Sequence, residues 1–160
     1  MAAPRDTLEG KVEYAILAEL SDGGLEDLAN LYCGHEFEEA AGAQVLIECS
    51  GGPPIAFGCA PCLKRVRIAI RTNADRDLAN QTTVDDPREV HRKILQAVRD
   101  VLIDGADFPD RDPIETRLSA QENDFTCHFF TPTDDNESVS GRYFVTETEW
   151  ECNCTRADVT

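Results

Sequence analysis

The stretch KRVRIAIRT, residues 64–72, alternates almost without a break: Val66, Ile68 and Ile70 project to one side, Arg65, Arg67 and Arg71 to the other. A period of two belongs to a β-strand with one face in a core and the other toward water. A sheet built on such a strand must have its apolar face covered, and amphipathic helices are the usual cover.

Two segments have the right periodicity to supply it. Leu8, Val12, Ile16 and Leu20 recur every four residues with Ala15 beside them, Asp6 and Glu9 make a candidate capping box, and DGG at 22–24 supplies a stop. Farther on, Asp86 can cap, Pro87 suits the first helical position and Glu89 completes the box. Val90, Ile94, Val98 and Leu102 then form a stripe flanked by Ala97 and Val101, with Gly105 as the expected end.

Strand chemistry surrounds these helices. AQVLIECS sets Val45, Ile47 and Cys49 against Gln44 and Glu48, GGPP interrupts it, and residues 31–37 suggest a short strand or its lead-in. FTCHFFT predicts Phe125, Cys127 and Phe129 on one face, with DDNESVSG as the turn that follows. RYFVTETEWECNC then sets Phe144, Trp150, Cys152 and Cys154 against Glu147, Glu149 and Glu151. The order helix, strands, helix, strands predicts one α+β domain over residues 1–160, an antiparallel or mixed β-sheet backed by two α-helices.

Fifteen basic residues against thirty-one acidic ones give a net charge of −16, spread along the chain. That charge disfavours nucleic acid and anionic membrane surfaces as partners. No apolar run approaches the roughly 18 residues that a membrane span needs. The opening MAAPRDTLEG has no apolar core of a secretory signal, so the seven cysteines are expected to be made in a reducing cytosol.

Four of the possible metal ligands fall into two pairs, Cys33 with His35 and Cys59 with Cys62. Only the second pair has the spacing of a zinc knuckle; Cys33 and His35, one residue apart, would share a strand face. Cys152 and Cys154 share the face of Phe144 and Trp150, where a thiol behaves as a small apolar side chain. No signature of a nucleophile surrounds Cys127, whose neighbour His128 would point to the opposite face, and His91 lies beside a helix stripe. GGPP lacks the lysine and following helix of a phosphate loop. The reading is of a chain that is not an enzyme, with no catalytic residue, cofactor or metal assigned.

The order of segments resembles the tail-terminator and neck (tail completion) proteins of the head–tail junction in long-tailed bacteriophages. The resemblance is carried by the helix from Leu8 to Leu20, the strands QVLIECSGGPP and KRVRIAIRTNAD, the helix HRKILQAVRDVL and the closing strands that end in TEWECNCTRAD. It implies an α/β or α+β protomer that assembles with itself into a ring, commonly a hexamer. The ring would cap the tail tube or join it to the head connector, with tail tube protein and connector proteins as neighbours. DNA would pass through without specific binding, in a virion assembled in the bacterial host cytoplasm. The loops at 51–61 and 74–86 could reach neighbouring subunits. The cysteine content and the ligand-rich NLYCGHEFEEA depart from that pattern. They keep an alternative open: an acidic regulatory or host-protein-binding module with a structural zinc at Cys33, His35, Cys59 and Cys62.

Overall fold

The computed structural model describes residues 7–39, 42–51, 62–74, 86–105 and 109–156. The order is α1 (Leu8–Asp22), a 3-10 turn (Leu25–Asp27), β1 (Asn30–Cys33), β2 (Gln44–Ser50), β3 (Cys62–Asn73), α2 (Pro87–Leu102), α3 (Ile114–Gln121), β4 (Phe125–Ser140) and β5 (Tyr143–Arg156). The strands form one mixed sheet in the order β1-β2-β3-β5-β4, in which β1 and β2 are parallel and the other pairs antiparallel. The fold is α+β. It has three α-helices among the described residues where two were expected.

β3 pairs on both sides, and its register sets the layers. Ile47, Ile68 and Thr148 stand level across β2, β3 and β5, as do Cys49, Val66 and Trp150. These side chains face the helices and meet Val12, Ala15, Ile16 and Leu20 of α1 and Ile94, Val98 and Leu102 of α2 in one buried cluster. Trp150 stacks on Phe130 at 4.9 Å between ring centroids and donates its indole N–H to Thr148 Oγ1, 2.8 Å away. The opposite face carries Arg65, Arg67 and Arg71 with Glu147, Glu149 and Glu151, as the alternation required.

Both expected helices form, with adjusted ends. The cap of α1 is Thr7, whose hydroxyl accepts from Gly10 N at 3.0 Å; the expected Asp6 lies outside the described residues. Gly23 closes α1 where a Cβ would run into Val101, so the approach of α1 to α2 requires glycine there. Asp86 caps α2 by accepting from Arg88 N at 3.0 Å, with Pro87 in the first turn. This helix ends at Leu102, short of Gly105, because Ile103 is already extended.

α3 has no side-chain cap of its own: Pro113 precedes it, and Ile114 N donates instead to Asp104 Oδ2 at 3.0 Å. Arg117 then locks the helix layer together. It pairs with Glu19 of α1 and, at 3.2 Å, with Asp104, and donates to the carbonyl of Val101 at 2.9 Å. Gln121 Nε2 reaches the other Glu19 oxygen at 2.9 Å.

The last two strands correct two expectations. Residues 134–140 are strand, not turn: Asp134 pairs with Glu149 and Ser140 with Tyr143, leaving only Gly141 and Arg142 to turn the chain. Gly141 at φ 60° fits the first position of such a two-residue hairpin turn. Phe129 does not share the face of Phe125 and Cys127. A bulge at His128 shifts the register, so that Phe129 is 46% exposed and Phe130 takes the buried place. A second irregularity at Thr133 follows Pro132, which an edge strand tolerates. The expected loops at 51–61 and 74–86 lie almost wholly outside the described residues.

Removing Arg117 leaves the Glu19 carboxylate buried without its cation, so Arg117→Ala should cost about 3 kcal/mol in denaturant unfolding. A loss below about 1 kcal/mol would mean that water replaces the guanidinium. Asp86→Ala should cost about 1 kcal/mol through the lost cap; an unchanged midpoint would place the start of α2 elsewhere.

Candidate functional site

The two sequence-predicted ligand pairs are not brought together. Parallel pairing sets Cys33 level with Ile47, which is level with Ile68. From Ile68, β3 runs back to Cys62 over a distance of roughly 20 Å at about 3.3 Å per residue. Ligands of one zinc ion sit about 2 Å from it, so Cys33 and Cys62 are separated far beyond that reach. His35 is exposed and pairs with Glu48, while its carbonyl accepts from Arg67 Nη2 at 2.8 Å. Cys59 lies outside the described residues. Among the described residues, no group of three or more His, Cys, Asp and Glu side chains is arranged to hold a metal ion.

The thiols cluster at the other end of the sheet. Pairing places Cys62, Cys154 and Cys127 in one row across β3, β5 and β4. Cys127, Cys152 and Cys154 are buried, with 3.8 Å between the sulfurs of Cys127 and Cys152. Hydrogen bonding to Cys127 and Cys154, together with burial, pushes the Cys152 thiol well up. Burial does the same to Cys49. Neither ionises at neutral pH, so neither supplies the thiolate that nucleophilic or metal chemistry needs.

The histidines have structural partners. His91 is buried between Thr72 Oγ1 at 2.8 Å and Thr146 Oγ1 at 2.7 Å, which ties α2 to β3 and β5. Its burial lowers its pKa. His128, on the outside of the bulge, lies 3.0 Å from Thr155 Oγ1, whereas Cys127 points into the core.

The uncovered sheet face is patterned by charge. Arg65 stands opposite Glu151 and Arg67 opposite Glu149; Arg67 also pairs with Glu147 at 3.0 Å and Glu48 at 3.4 Å. Glu48, Arg65, Arg67, Glu149, Glu151 and Thr133 line a shallow basin of about 500 Å³. Next to it, residues 34–39 cross the face. Arg71 clamps them: its guanidinium lies 4.8 Å from the Phe37 ring and 4.2 Å from the Tyr143 ring and donates to the Glu38 carbonyl at 2.7 Å. Tyr32 donates to Gln44 Oε1 at 2.8 Å and accepts from Glu38 N at 2.9 Å, which seals the crossing. Sequence reading did not find this clamp. Its one visible signal was an arginine at the end of an apolar alternation, with Tyr143 at the start of a later strand.

A groove of about 400 Å³ opens on the helix side, between the first turns of α2 and the outer half of the β4–β5 hairpin. Val139 and Phe144 supply apolar wall, and Arg88 and Arg92 stand on the helix side. Both hollows can bind a partner by shape and charge.

No protein-family model and no curated protein sequence matches the chain.

One carboxyl group in the helix layer is poised to titrate. Burial raises Glu13 of α1 from its ordinary 4.5 to about 7, against a backbone hydrogen bond from Cys49 and with Glu48 and Glu9 adding to the rise. Between those values the folded chain holds a proton that the unfolded chain releases. The Glu13 contribution to stability is therefore complete below pH 4.5 and lost as pH rises through about 7. Glu13→Gln should raise the unfolding free energy at alkaline pH by ~1 kcal/mol, discounted for partial exposure, and so raise the denaturation midpoint there, with the least change in acid. Equal midpoints for the two proteins above neutrality would show that water solvates this carboxylate.

Proposed function

We propose that this chain is a structural protein of the head–tail junction of a long-tailed bacteriophage, a tail-terminator-like subunit that forms a ring on the tail tube or between tube and head connector. The observation that carries the reading is β4, the edge strand of the sheet among the described residues. It is 16 residues long, and residues 132–139 are exposed on both faces beside a core packed on a mixed sheet. A long free edge is a docking template, and natural sheets guard it against indiscriminate pairing with charge. Here Asp134, Asp135 and Glu137 supply that guard, which favours a selective partner over aggregation. The segment order of the sequence and the resemblance it carries support the same reading. The net charge of −16 adds a physical reason, since an acidic ring lets DNA slide without adhering.

Deleting the gene from its phage tests this. The lysate should contain capsids and no infectious particles, and electron microscopy should show tails of abnormal length, because a terminator stops growth of the tube. Tails of normal length beside unattached heads would shift the protein to the neck. Normal virions in normal yield would remove the structural reading and leave an acidic regulatory module in its place.

A further inference from the structure

The helix side of the molecule carries a knob and a socket at opposite ends of α2. The knob is Leu28, 48% exposed at the end of the 3-10 turn and preceded by the exposed carboxylates Glu26 and Asp27. The turn packs near the C-terminal end of α2, where Gly23 meets Val101. The socket is the groove at the N-terminal end of the same helix. Val139, 66% exposed, and Phe144 offer apolar wall, and the exposed Arg88 and Arg92 form the rim. Glu137 lies on the β4 wall and Glu89 stands 3.7 Å from Arg92, but that exposed one-turn pair is weak, so both guanidinium groups remain open to a better-placed carboxylate.

The two surfaces match in kind: an apolar tip among carboxylates and an apolar pocket under guanidinium groups. They cannot meet within one chain. Arg88 and Val101 are about 20 Å apart along α2 at ~1.5 Å of rise per residue.

We infer that the socket binds the knob of a second copy of this chain, head to tail. The contact deepens the ring reading and rests on it, for a heterologous interface closes into a ring when its rotation closes. Leu28 enters between Val139 and Phe144, while Glu26 and Asp27 face Arg88 and Arg92. The charged rim selects the orientation, and the apolar centre excludes water.

The test uses two variants, one dead at each surface: Leu28→Asp for the knob, and Arg88→Glu with Arg92→Glu for the socket. All the altered side chains are exposed, so circular dichroism should match the wild type. Sedimentation velocity at low salt should show concentration-dependent, salt-sensitive association of the wild type. Each variant alone should associate about a hundredfold more weakly or worse, Leu28→Asp because a carboxylate loses its water in the apolar pocket and the arginine variant because like charges then oppose each other. Mixed in equal amounts, the variants should form a heterodimer that grows no further, since the one live knob fills the one live socket and only the dead surfaces are left. A two-fold symmetric contact has no such signature, because every pair formed from the mixture retains a dead half. A wild type that stays monomeric at all concentrations overturns the inference, as do variants that assemble like the wild type or a mixture that stays monomeric. Rings that persist in both variants would leave the junction reading standing and refute only this contact; a deletion phage with normal virions would refute the reading itself.

Discussion

β3 is hydrogen-bonded on both flanks, and the alternation of its side chains is imposed on its neighbours. Because Val66, Ile68 and Ile70 must be dry, the residues level with them are drawn into the helix-facing layer: Cys49, Ile47 and Val45 on one side, Trp150, Thr148 and Thr146 on the other. The polar members of that set are satisfied within it. Thr148 donates to the carbonyl of Ile68 at 2.8 Å, and Thr146 partners His91. A slip of one residue in β3 would exchange these for Arg65, Arg67 and Arg71, bringing arginine side chains under the helices. The cost of burying charge without partners makes that register inaccessible. The two faces of the molecule, a packed one and a charged one, are thus consequences of a single strand.

Where alternation is strict, sequence and structure agree on which way each side chain faces, as in β2, β3 and β5, although Gln44, Leu46 and Ala69 are buried on the charged face as well. Agreement ends where a second constraint intervenes. In β4 the bulge at His128 inserts one residue and sends Phe129 outward, and nothing in FTCHFFT announces the insertion. The outer half of the same strand looks like a turn because both its faces are wet, so no apolar period is written there; its backbone is held by pairing with β5. α3 is eight residues long and borrows its cap from Asp104, ten positions earlier, which leaves no local start signal. The candidate surfaces were legible only in part. The cysteine face of β5 followed from its period, while the Arg71 clamp and the knob and socket depend on segments distant in sequence.

The buried charges of the helix layer illustrate two regimes. Glu19 is held by Arg117 and Gln121 at the junction of α1, α2 and α3, with a partner on each carboxylate oxygen. Glu13, a turn and a half earlier on the same helix, has no such cation among the described residues and its pKa is raised by burial. Lys64 serves Glu9 instead, 2.8 Å away, and holds that carboxyl below its ordinary value. Position relative to one lysine or arginine, more than depth, separates a carboxylate that stabilises from one that costs.

The tight turn at Gly141 and Arg142 has a bearing on how the chain reaches this state. A hairpin closed by two residues needs almost no loop entropy and forms on the order of microseconds, whereas joining β3 to β5 closes a far longer loop first. Ile68 and Thr148, level in the finished sheet, are separated by 80 positions, half the length of the chain. During that interval β5 has one paired edge and one bare one. Glu147, Glu149 and Glu151 alternate along it, so two half-made hairpins that approach edge to edge meet as like charges. The arginines of β3 are the complementary set. The acidic strand that lends the finished molecule its charged face is, on the way there, the device that lets it wait for its own partner.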